Sequence, residues 1–331
     1  ELQRAAGIGL VPSNDFSFYD QMLDLSGLLG NLPARFHRDG GTVDLPLLFR
    51  VARGSTGAQG DGCGCAAHAG EMTKWFDTNY HYIVPEFDAE THFGIHMFKP
   101  FDEFAEALAL GLRTKPVLIG PLTYLFLGKA TDGSDRLALL ERLLPVYAEI
   151  LRRLGAQGAE WVQLDEPVLA LDLPDAWKAA FLPAYTALRA GSAGPRLLLA
   201  TYFGELRENL PLAAGLPVDA LHLDATRAAA EVEPLCQLLK PEMILSLGVV
   251  DGRNLWRNPF DASARLLKHA CRTLGRERVW VAPSCSLLHV PVSLRHETKL
   301  DPELRSWLAF AEEKLGEVVT LSRLGTPLED P

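Results

Sequence analysis

The chain has 331 residues, of which 48% are hydrophobic and 22% charged, and 32 lysines and arginines against 42 aspartates and glutamates give a net charge of −10. This length and composition predict a folded, soluble protein with one large core or two smaller ones. The acidic balance argues against nucleic acid or an anionic membrane as the main partner, and no run of about 18 apolar residues is present that would span a bilayer.

Short apolar runs alternate with helical patterns along most of the chain. Continuous apolar runs are typical of strands that are buried on both faces of a parallel sheet. The best-marked helix begins at the capping residues Ser134 and Asp135 and ends at Gly155. In chain order, strands are predicted at 9–13, 116–120, 161–165, 196–201, 219–224, 243–249 and 279–284, and the other helices at 102–112, 172–190, 228–239, 259–275 and 302–317.

This alternation predicts a parallel sheet, either doubly wound or closed into a barrel. The two nucleotide-binding fingerprints of open sheets, Gly-x-Gly-x-x-Gly after the first strand and Gly-x-x-x-x-Gly-Lys-Ser/Thr, do not occur. A (β/α)8 TIM-type barrel is therefore favoured. The segment 71–76 is the candidate eighth strand. The chain opens without a methionine in what reads as a helix end, so we expect the first strand of the barrel to be missing.

The segment 53–70 (RGSTGAQGDGCGCAAHAG) is rich in glycine, alanine and serine and lacks apolar periodicity, so we expect a flexible surface loop. It contains Cys63, Cys65 and His68, but a single Cys-x-Cys lacks the second ligand pair that structural zinc sites need. The chain has only five cysteines, an odd and sparse set. This argues against a disulfide framework and favours the reducing cytoplasm.

Candidate site residues follow the predicted strands, because the site of a parallel barrel lies at the carboxyl ends of its strands. The adjacent carboxylates Asp165 and Glu166 suggest acid–base chemistry or metal binding. The alternative is a structural anchor, since consecutive side chains of a strand point to opposite faces. The polar residues at these positions are Asn14, Asp15, Lys74, Thr123, Asp165, Glu166, Thr201, Tyr202, His222, Asp224, Asp251 and Cys285.

Several single residues have both a structural and a functional interpretation. His81 and His222 are either hydrogen-bonded core residues or ligands, and the aromatic run Trp75, Phe76, Tyr80, Tyr82 and Phe87 is interpreted as packing rather than a stacking surface. Lys74 places a positive charge in an apolar, aromatic stretch, so we expect it to be buried with an internal carboxylate or an anionic ligand. Cys285 and His289, in VWVAPSCSLLHVPV (279–292), are close enough to be a metal pair, a nucleophile with its base, or a remnant of either.

Six long segments, in the same order, resemble the N-terminal half of cobalamin-independent methionine synthase, the 5-methyltetrahydropteroyltriglutamate–homocysteine S-methyltransferase family. The resemblance extends over essentially the whole chain and implies that 1–331 is one barrel domain. The segments are EMTKWFDTNYHYIVPE (71–86), KPVLIGPLTYL (115–125), WVQLDEPVLALDL (161–173), LLLATYFG (197–204), LSLGVVDGRNLWR (245–257) and WVAPSCSLLHVPV (280–292).

The resemblance implies one of two barrels that face each other. In the family, the C-terminal barrel binds a catalytic zinc through one His, one Glu and two Cys and activates homocysteine as a thiolate. Here the strand matching the His-x-Cys pair reads LATYF (199–203), Asp224 stands at the Glu position, and only Cys285 lies where a cysteine ligand would. Zinc needs four ligands, or three and a water. We therefore expect no metal in this chain, and interpret Cys285 as the remnant of a duplicated zinc site, unrelated to His289.

The resemblance also implies that this half helps to bind the polyglutamate tail of the folate. The basic residues for the tail come from a segment after the first strand of the family, which has no counterpart in this sequence, and from the lysine of Glu-Met-Thr-Lys-Trp-Phe. That lysine is Lys74 here, so the resemblance implies that Lys74 binds a γ-carboxylate in a dry pocket. Asp165, Glu166, Asp224 and Cys285 are candidate pocket residues, and none is assigned a catalytic role.

The sequence thus predicts an N-terminal barrel that binds 5-methyltetrahydropteroyl polyglutamate and packs against the C-terminal catalytic barrel, which supplies the zinc for methyl transfer to homocysteine. This domain alone is expected to be inactive. Two alternatives stay open. One is a free-standing barrel enzyme that uses Asp165, Glu166 and Cys285, and the other is a non-catalytic partner that docks onto a separately encoded catalytic barrel.

Overall fold

A computed structural model describes residues 1–36, 41–56, 66–190 and 194–324. Its centre is a seven-stranded sheet in which all neighbouring strands are parallel. The sheet curls as in a TIM-type barrel, which confirms the predicted fold class, and its strands match the seven predicted ones. In sheet order, which is also chain order, they are Val11–Ser13, Thr114–Ile119, Trp161–Asp165, Arg196–Ala200, Ala220–Asp224, Ile244–Val250 and Val279–Pro283.

The candidate eighth strand at 71–76 is not part of this sheet, so that prediction was wrong. Met72–Lys74 pairs antiparallel with His81–Ile83 in a two-stranded hairpin. The Trp75 N–H donates to Tyr80 O at 2.7 Å and closes the turn. A parallel neighbour needs a crossover of a dozen or more residues. A chain that reverses after three strand residues therefore pairs with itself.

Helices connect the strands and bury their apolar faces. The helix predicted at 302–317 is in fact two helices, because Leu308 forms a backbone bridge with Trp256 and interrupts the helical pattern. No described helix is long and apolar enough to cross a membrane. The α-helices are Leu2–Ala6, Gln21–Leu29, Leu45–Arg53, Lys99–Ala109, Pro121–Leu127, Leu140–Ala156, Asp175–Ala190, Leu210–Gly215, Val232–Leu238, Phe260–Leu274, Pro302–Trp307 and Ala311–Leu324.

The Leu140–Ala156 helix shows how apolar spacing in the sequence produces the core. The Asp135 carboxylate accepts a hydrogen bond from the Leu137 N–H at 2.9 Å and caps the 3-10 turn that leads into the helix. Leu143, Tyr147, Ile150, Leu151 and Leu154 are fully buried on one face. The Tyr147 hydroxyl also donates to Ile119 O at 2.6 Å, which fixes the helix to its neighbouring strand.

An apolar plug fills the interior at the N-terminal ends of the strands. The rings of Trp161 and Trp280 meet edge to face with centroids 4.8 Å apart, and Leu198 and Ala220 pack beside them. The Arg196 guanidinium lies 4.3 Å from the centroid of the Trp161 ring and covers it. Polar interior residues begin at the level of these rings, where Ser246 pairs with Trp280, and continue toward the carboxyl ends of the strands.

Part of the predicted loop at 53–70 lies outside the described residues, including Cys63 and Cys65. Its flanks form a short antiparallel pair, Ser55–Thr56 with Ala66–Ala67. His68 is exposed, and its carbonyl accepts a hydrogen bond from Arg35 Nε at 2.9 Å. A third small pair, Glu86–Phe87 with Lys129–Ala130, is parallel and also separate from the main sheet.

Candidate functional site

A cavity of about 590 Å³ occupies the interior of the curled sheet. At the N-terminal ends of the strands it is lined by Trp161 and Trp280 and by Arg113, Glu160 and Arg276, which precede three of the strands. Polar side chains from the strands and the loops that follow them line the rest. Of the four candidate pocket residues, Asp165 and Cys285 line this cavity, whereas Glu166 and Asp224 do not. From the level of the two tryptophans to the carboxyl ends of the strands, the polar lining residues include Asp15, Lys115, Gln163, Asp165, Tyr202, His222, Ser246, Cys285, Ser286 and His289.

Asp165 ends the Trp161–Asp165 strand with its carboxylate inside the cavity. It accepts hydrogen bonds from Gln163 Nε2 at 2.7 Å and from the Tyr202 hydroxyl at 2.9 Å. Burial raises its pKa from 3.8 to about 6, against the effect of these two donors. Asp165 can therefore hold or release a proton near neutral pH, which is the property that acid–base chemistry requires.

Lys115 and Asp15 bring opposite charges to the same part of the cavity. Lys115 Nζ donates to Gln163 Oε1, so that Gln163 lies between Lys115 and Asp165. Asp15 accepts a hydrogen bond from the Ser286 hydroxyl at 2.8 Å. Burial raises the pKa of Asp15 and lowers the pKa of Lys115, and the two carboxylates partly offset the effect on the lysine. The result is a network of ionisable groups that line the same part of the cavity.

Glu166 points away from the cavity and has a structural role. Its carboxylate accepts hydrogen bonds from the Leu122 N–H (3.2 Å), the Thr123 N–H (2.7 Å), the Thr123 hydroxyl (2.6 Å) and the Tyr185 hydroxyl (3.1 Å). It thus occupies the N-terminus of the Pro121–Leu127 helix, where a carboxyl satisfies free N–H groups. Adjacent carboxyls therefore have different functions, because neighbouring side chains point to opposite faces.

Asp224 is also committed to local structure. Its carboxylate accepts hydrogen bonds from the Phe203 N–H at 3.1 Å, the Thr226 hydroxyl at 2.6 Å and the Arg227 N–H at 3.2 Å. These bonds tie the end of the Ala220–Asp224 strand to the turn that follows and to the adjacent loop. Asp224 accordingly does not line the cavity.

Cys285 lines the cavity but is not placed as a metal ligand. Its sulfur contacts Ser284 Oγ at 3.9 Å and Ser286 O at 3.6 Å, and burial raises the pKa of its thiol. Within the described ranges, no group of three or more His, Cys, Asp and Glu residues could hold a metal ion. The Asp224 carboxylate is occupied by local hydrogen bonds, so Cys285 has no neighbouring ligands, among the residues that the structure describes, with which to form the four-ligand set of zinc. That this chain holds no zinc stays a prediction.

His222 is a hydrogen-bonded interior residue. Its Nε2 contacts Ser284 O at 3.1 Å, so Nε2 carries the proton, and Nδ1 accepts from the Ser246 hydroxyl at 3.0 Å. Burial lowers its pKa to about 4, which keeps the ring neutral. The neutral ring lines the cavity, and its hydrogen bonds join it to the Ile244–Val250 strand and to Ser284.

An aromatic cluster lies beside the cavity at the carboxyl ends of the strands. The His289 ring packs edge-on against Tyr80 and Phe203, with centroids 6.1 and 5.5 Å apart, and Phe203 also meets Phe76 at 5.6 Å. Phe76 and Phe203 both have positive φ, at 55° and 76°, a strained conformation for aromatic residues. The Arg253 guanidinium lies 4.9 Å from the centroid of Phe203.

Lys74 is exposed on the hairpin and does not line the cavity, so the expectation that it is buried in a dry pocket was wrong. The three residues of its strand all face solvent, and the hairpin instead contributes Trp75, Tyr82 and Ile83 to the buried core. His81 is likewise exposed, and its Nδ1 contacts Asn79 O at 2.9 Å. Of the aromatic run, Trp75, Tyr82 and Phe87 are buried in the core.

Sequence reasoning did not identify Lys115, Gln163 or Ser286 as site residues. The available signal was weak. Lys115 and Gln163 are polar residues inside otherwise apolar strands, at positions two and three of Thr114–Ile119 and Trp161–Asp165. A polar residue in a run that is buried on both faces needs a partner. That rule would have marked both residues, but not their proximity.

Solved structures with a similar fold include B12-independent methionine synthases. One from a Shewanella species, in complex with selenomethionine, has 15% identity and a TM-score of 0.58, with 77% of this chain and 73% of that chain covered. A methyltransferase from Methanosarcina mazei has 13% identity and a TM-score of 0.51, with 95% and 93% covered. A putative enzyme from Listeria monocytogenes has 17% identity and a TM-score of 0.50, with 73% and 72% covered. These likenesses establish the fold.

The sequence comparison establishes the family. Residues 1–274 match the family described as cobalamin-independent synthase, N-terminal domain. This range contains six of the seven sheet strands, together with Asp15, Lys115 and Asp165 of the cavity. The chain therefore belongs to the family of the N-terminal domain of cobalamin-independent methionine synthase.

Proposed function

We propose that this domain helps to bind the polyglutamate tail of 5-methyltetrahydrofolate, and that a C-terminal zinc barrel transfers the methyl group to homocysteine in cytoplasmic methionine biosynthesis. The observation that carries the proposal is the match of residues 1–274 to the N-terminal domain of the family. We expect the chain alone to be inactive in this reaction, because Cys285 and Asp224 do not supply a zinc ligand set.

The position of Lys74 supports tail binding in a form different from the one expected from sequence. Lys74 is exposed and makes no ion pair within the part of the chain that the structure describes, while the nearby Lys129 is paired with Glu71 at 2.9 Å. Its charge is available to a ligand. A flexible, hydrated chain of carboxylates can meet such a lysine without the cost of burying an ammonium group.

Isothermal titration calorimetry with the 331-residue chain tests this role. The triglutamate form of 5-methyltetrahydrofolate should bind more tightly than the monoglutamate, and Lys74→Ala should weaken triglutamate binding about threefold to fivefold, the size expected for one exposed ion pair. Lys129→Ala is the matched control, because that lysine is already paired with Glu71. Equal binding of the two folates, or equal losses in the two variants, would contradict the proposal.

Exposed tryptophans support docking of the C-terminal catalytic barrel. Trp256, on the loop after the Ile244–Val250 strand, is 54% exposed, and Trp307 is 53% exposed. The two residues lie on adjoining segments, since the Arg257 N–H donates to Trp307 O at 2.9 Å. Large aromatic side chains are enriched in protein interfaces.

Association with the C-terminal barrel of the family, made as a separate protein, tests the docking. We expect Trp256→Ser and Trp307→Ser to weaken the complex in analytical ultracentrifugation and to lower the rate of methionine formation. Leu182→Ser is the control, because Leu182 is 51% exposed on the Asp175–Ala190 helix, away from this loop. Methionine formation by the chain alone would instead favour the free-standing enzyme.

A further inference from the structure

Lys115 is an amine inside the cavity that lacks a carboxylate partner. It lies on the Thr114–Ile119 strand with its side chain lining the cavity. Gln163 is its one hydrogen-bond partner among the described residues, and it makes no ion pair with any of them. A buried ammonium group normally has a close anionic partner. Lys115 therefore differs from Lys99, which contacts Asp24 at 3.4 Å.

The ionisable groups around Lys115 are arranged to hold protons near it without neutralising it. Asp165 lies on the far side of Gln163 and is bound by the Tyr202 hydroxyl, and Asp15 is bound by Ser286. Lys115 in turn contributes to the lowered pKa of His222, whose buried ring is neutral. Burial lowers the pKa of Lys115, which favours the uncharged, nucleophilic form of its amine.

We propose that Lys115 is a reactive amine that condenses with a small aldehyde or ketone inside the barrel. The neutral Nζ adds to the carbonyl carbon and gives a carbinolamine. The protonated carboxyl of Asp15 then donates its proton to the departing hydroxyl, which leaves as water. A protonated imine on Nζ and a carboxylate remain, so atoms and charge balance. Neither oxidant nor metal is needed, and the step is independent of the folate role proposed above.

The cavity provides space for a carbonyl compound next to the Lys115 amine and places carboxyl groups beside it. Its volume of about 590 Å³ is ample for a carbonyl compound of a few carbon atoms. The imine would form in the part of the cavity that is lined by the rings of Trp161 and Trp280 and by the two carboxyls. A positively charged imine is stabilised by carboxylates that the parent amine does not fully neutralise.

Reductive methylation of the 331-residue chain tests the proposal. The chain is treated at pH 7 with limiting formaldehyde and cyanoborohydride, and the methylation of each lysine is followed by peptide mass spectrometry. We expect Lys115 to be labelled several-fold faster than the exposed Lys74, because a lowered pKa leaves a larger share of its amine uncharged at this pH. This advantage should disappear at a pH above the ordinary pKa of lysine. Labelling of Lys115 no faster than Lys74 at pH 7 would overturn the proposal.

Lys314 is the internal control for access. Burial also lowers its pKa, but its Nζ donates to Trp256 O at 3.0 Å and it does not line the cavity. We expect slow labelling of Lys314. Equal, fast labelling of Lys314 and Lys115 would show that opening of the fold exposes both, and would overturn the proposal.

The Asp165→Asn variant distinguishes two roles of Lys115, a reactive amine and a structural counter-ion of Asp165. Removing the negative charge should depress the pKa of Lys115 further and raise its labelling rate at pH 7 severalfold over Lys74 in the same sample. Asp172→Asn, at a side chain that is 82% exposed, should leave the ratio unchanged. A ratio that Asp165→Asn does not change would mean that the carboxyl does not act on the amine, and would count against the mechanism.

Discussion

The buried carboxyl of Glu166 should make the stability of this fold depend on pH. Burial raises its pKa from 4.5 to about 7. Between these values the folded chain keeps a proton that the unfolded chain has released. The stabilising contribution is therefore complete below the unfolded value and is lost as the pH rises through the folded one. A shift of this size corresponds to roughly 3 kcal/mol.

Glu166→Gln removes the titration and keeps the shape of the side chain. We expect the free energy of unfolding of the wild type to fall by roughly 3 kcal/mol relative to the variant between mildly acidic pH and pH 8. Urea denaturation at a series of pH values, followed by circular dichroism, measures this difference. Glu233→Gln is the control, since Glu233 is exposed on the Val232–Leu238 helix and its replacement should not change the pH dependence.

The four donors around Glu166 define the result that would refute this reasoning. The N–H groups of Leu122 and Thr123 and the hydroxyls of Thr123 and Tyr185 all reach its oxygens. These donors could stabilise the carboxylate more than burial destabilises it. The glutamine side chain of the variant would then accept fewer of these hydrogen bonds than the carboxylate does. The variant would then become less stable relative to the wild type toward pH 8. A stability difference that grows in favour of the wild type would refute the raised pKa.

Three further predictions concern other buried positions. Gly120→Ala should lower the free energy of unfolding by roughly 2–3 kcal/mol in urea denaturation, because an added Cβ would lie 2.2 Å from the Glu166 carboxyl carbon; the same change in a Glu166→Ala background should cost much less, and additive losses would contradict this explanation. Asp20→Ala should cost roughly 2–4 kcal/mol in the same assay, because Asp20 accepts from the N–H groups of Leu23 (2.7 Å) and Ile83 (3.0 Å) and so joins a helix to the hairpin; a loss below that of a typical surface change would argue against this role. Cys285 should resist iodoacetamide at pH 8 in the folded chain and react in denaturant, because burial raises the pKa of its thiol. Peptide mapping measures the alkylation, and equally fast reaction of Cys285 in the folded and denatured chains would contradict the prediction.

The strands could be predicted from the sequence because burial on both faces requires apolar residues at successive positions. Each strand of a parallel barrel is a continuous apolar run, and runs such as 161–165 need no information from elsewhere in the chain. The segment 71–76 carries a similar density of apolar residues for another reason. Its rings at Trp75 and Phe76 pack against the main core from the end of a hairpin strand, while Met72–Lys74 faces solvent. Local composition alone does not distinguish these cases.

The cavity depends on long-range geometry that composition does not record. Which of Asp165 and Glu166 faces inward is set by the pleat of one strand within the curled sheet. Lys115 meets Gln163 only because two parallel strands, 48 residues apart at this contact, are neighbours in the sheet. Asp15, from the N-terminal part of the chain, lines the same cavity. The fold thus places one lysine between two carboxyls without an ion pair, and this mismatch, rather than any motif, identifies Lys115 as the residue whose chemistry should be tested.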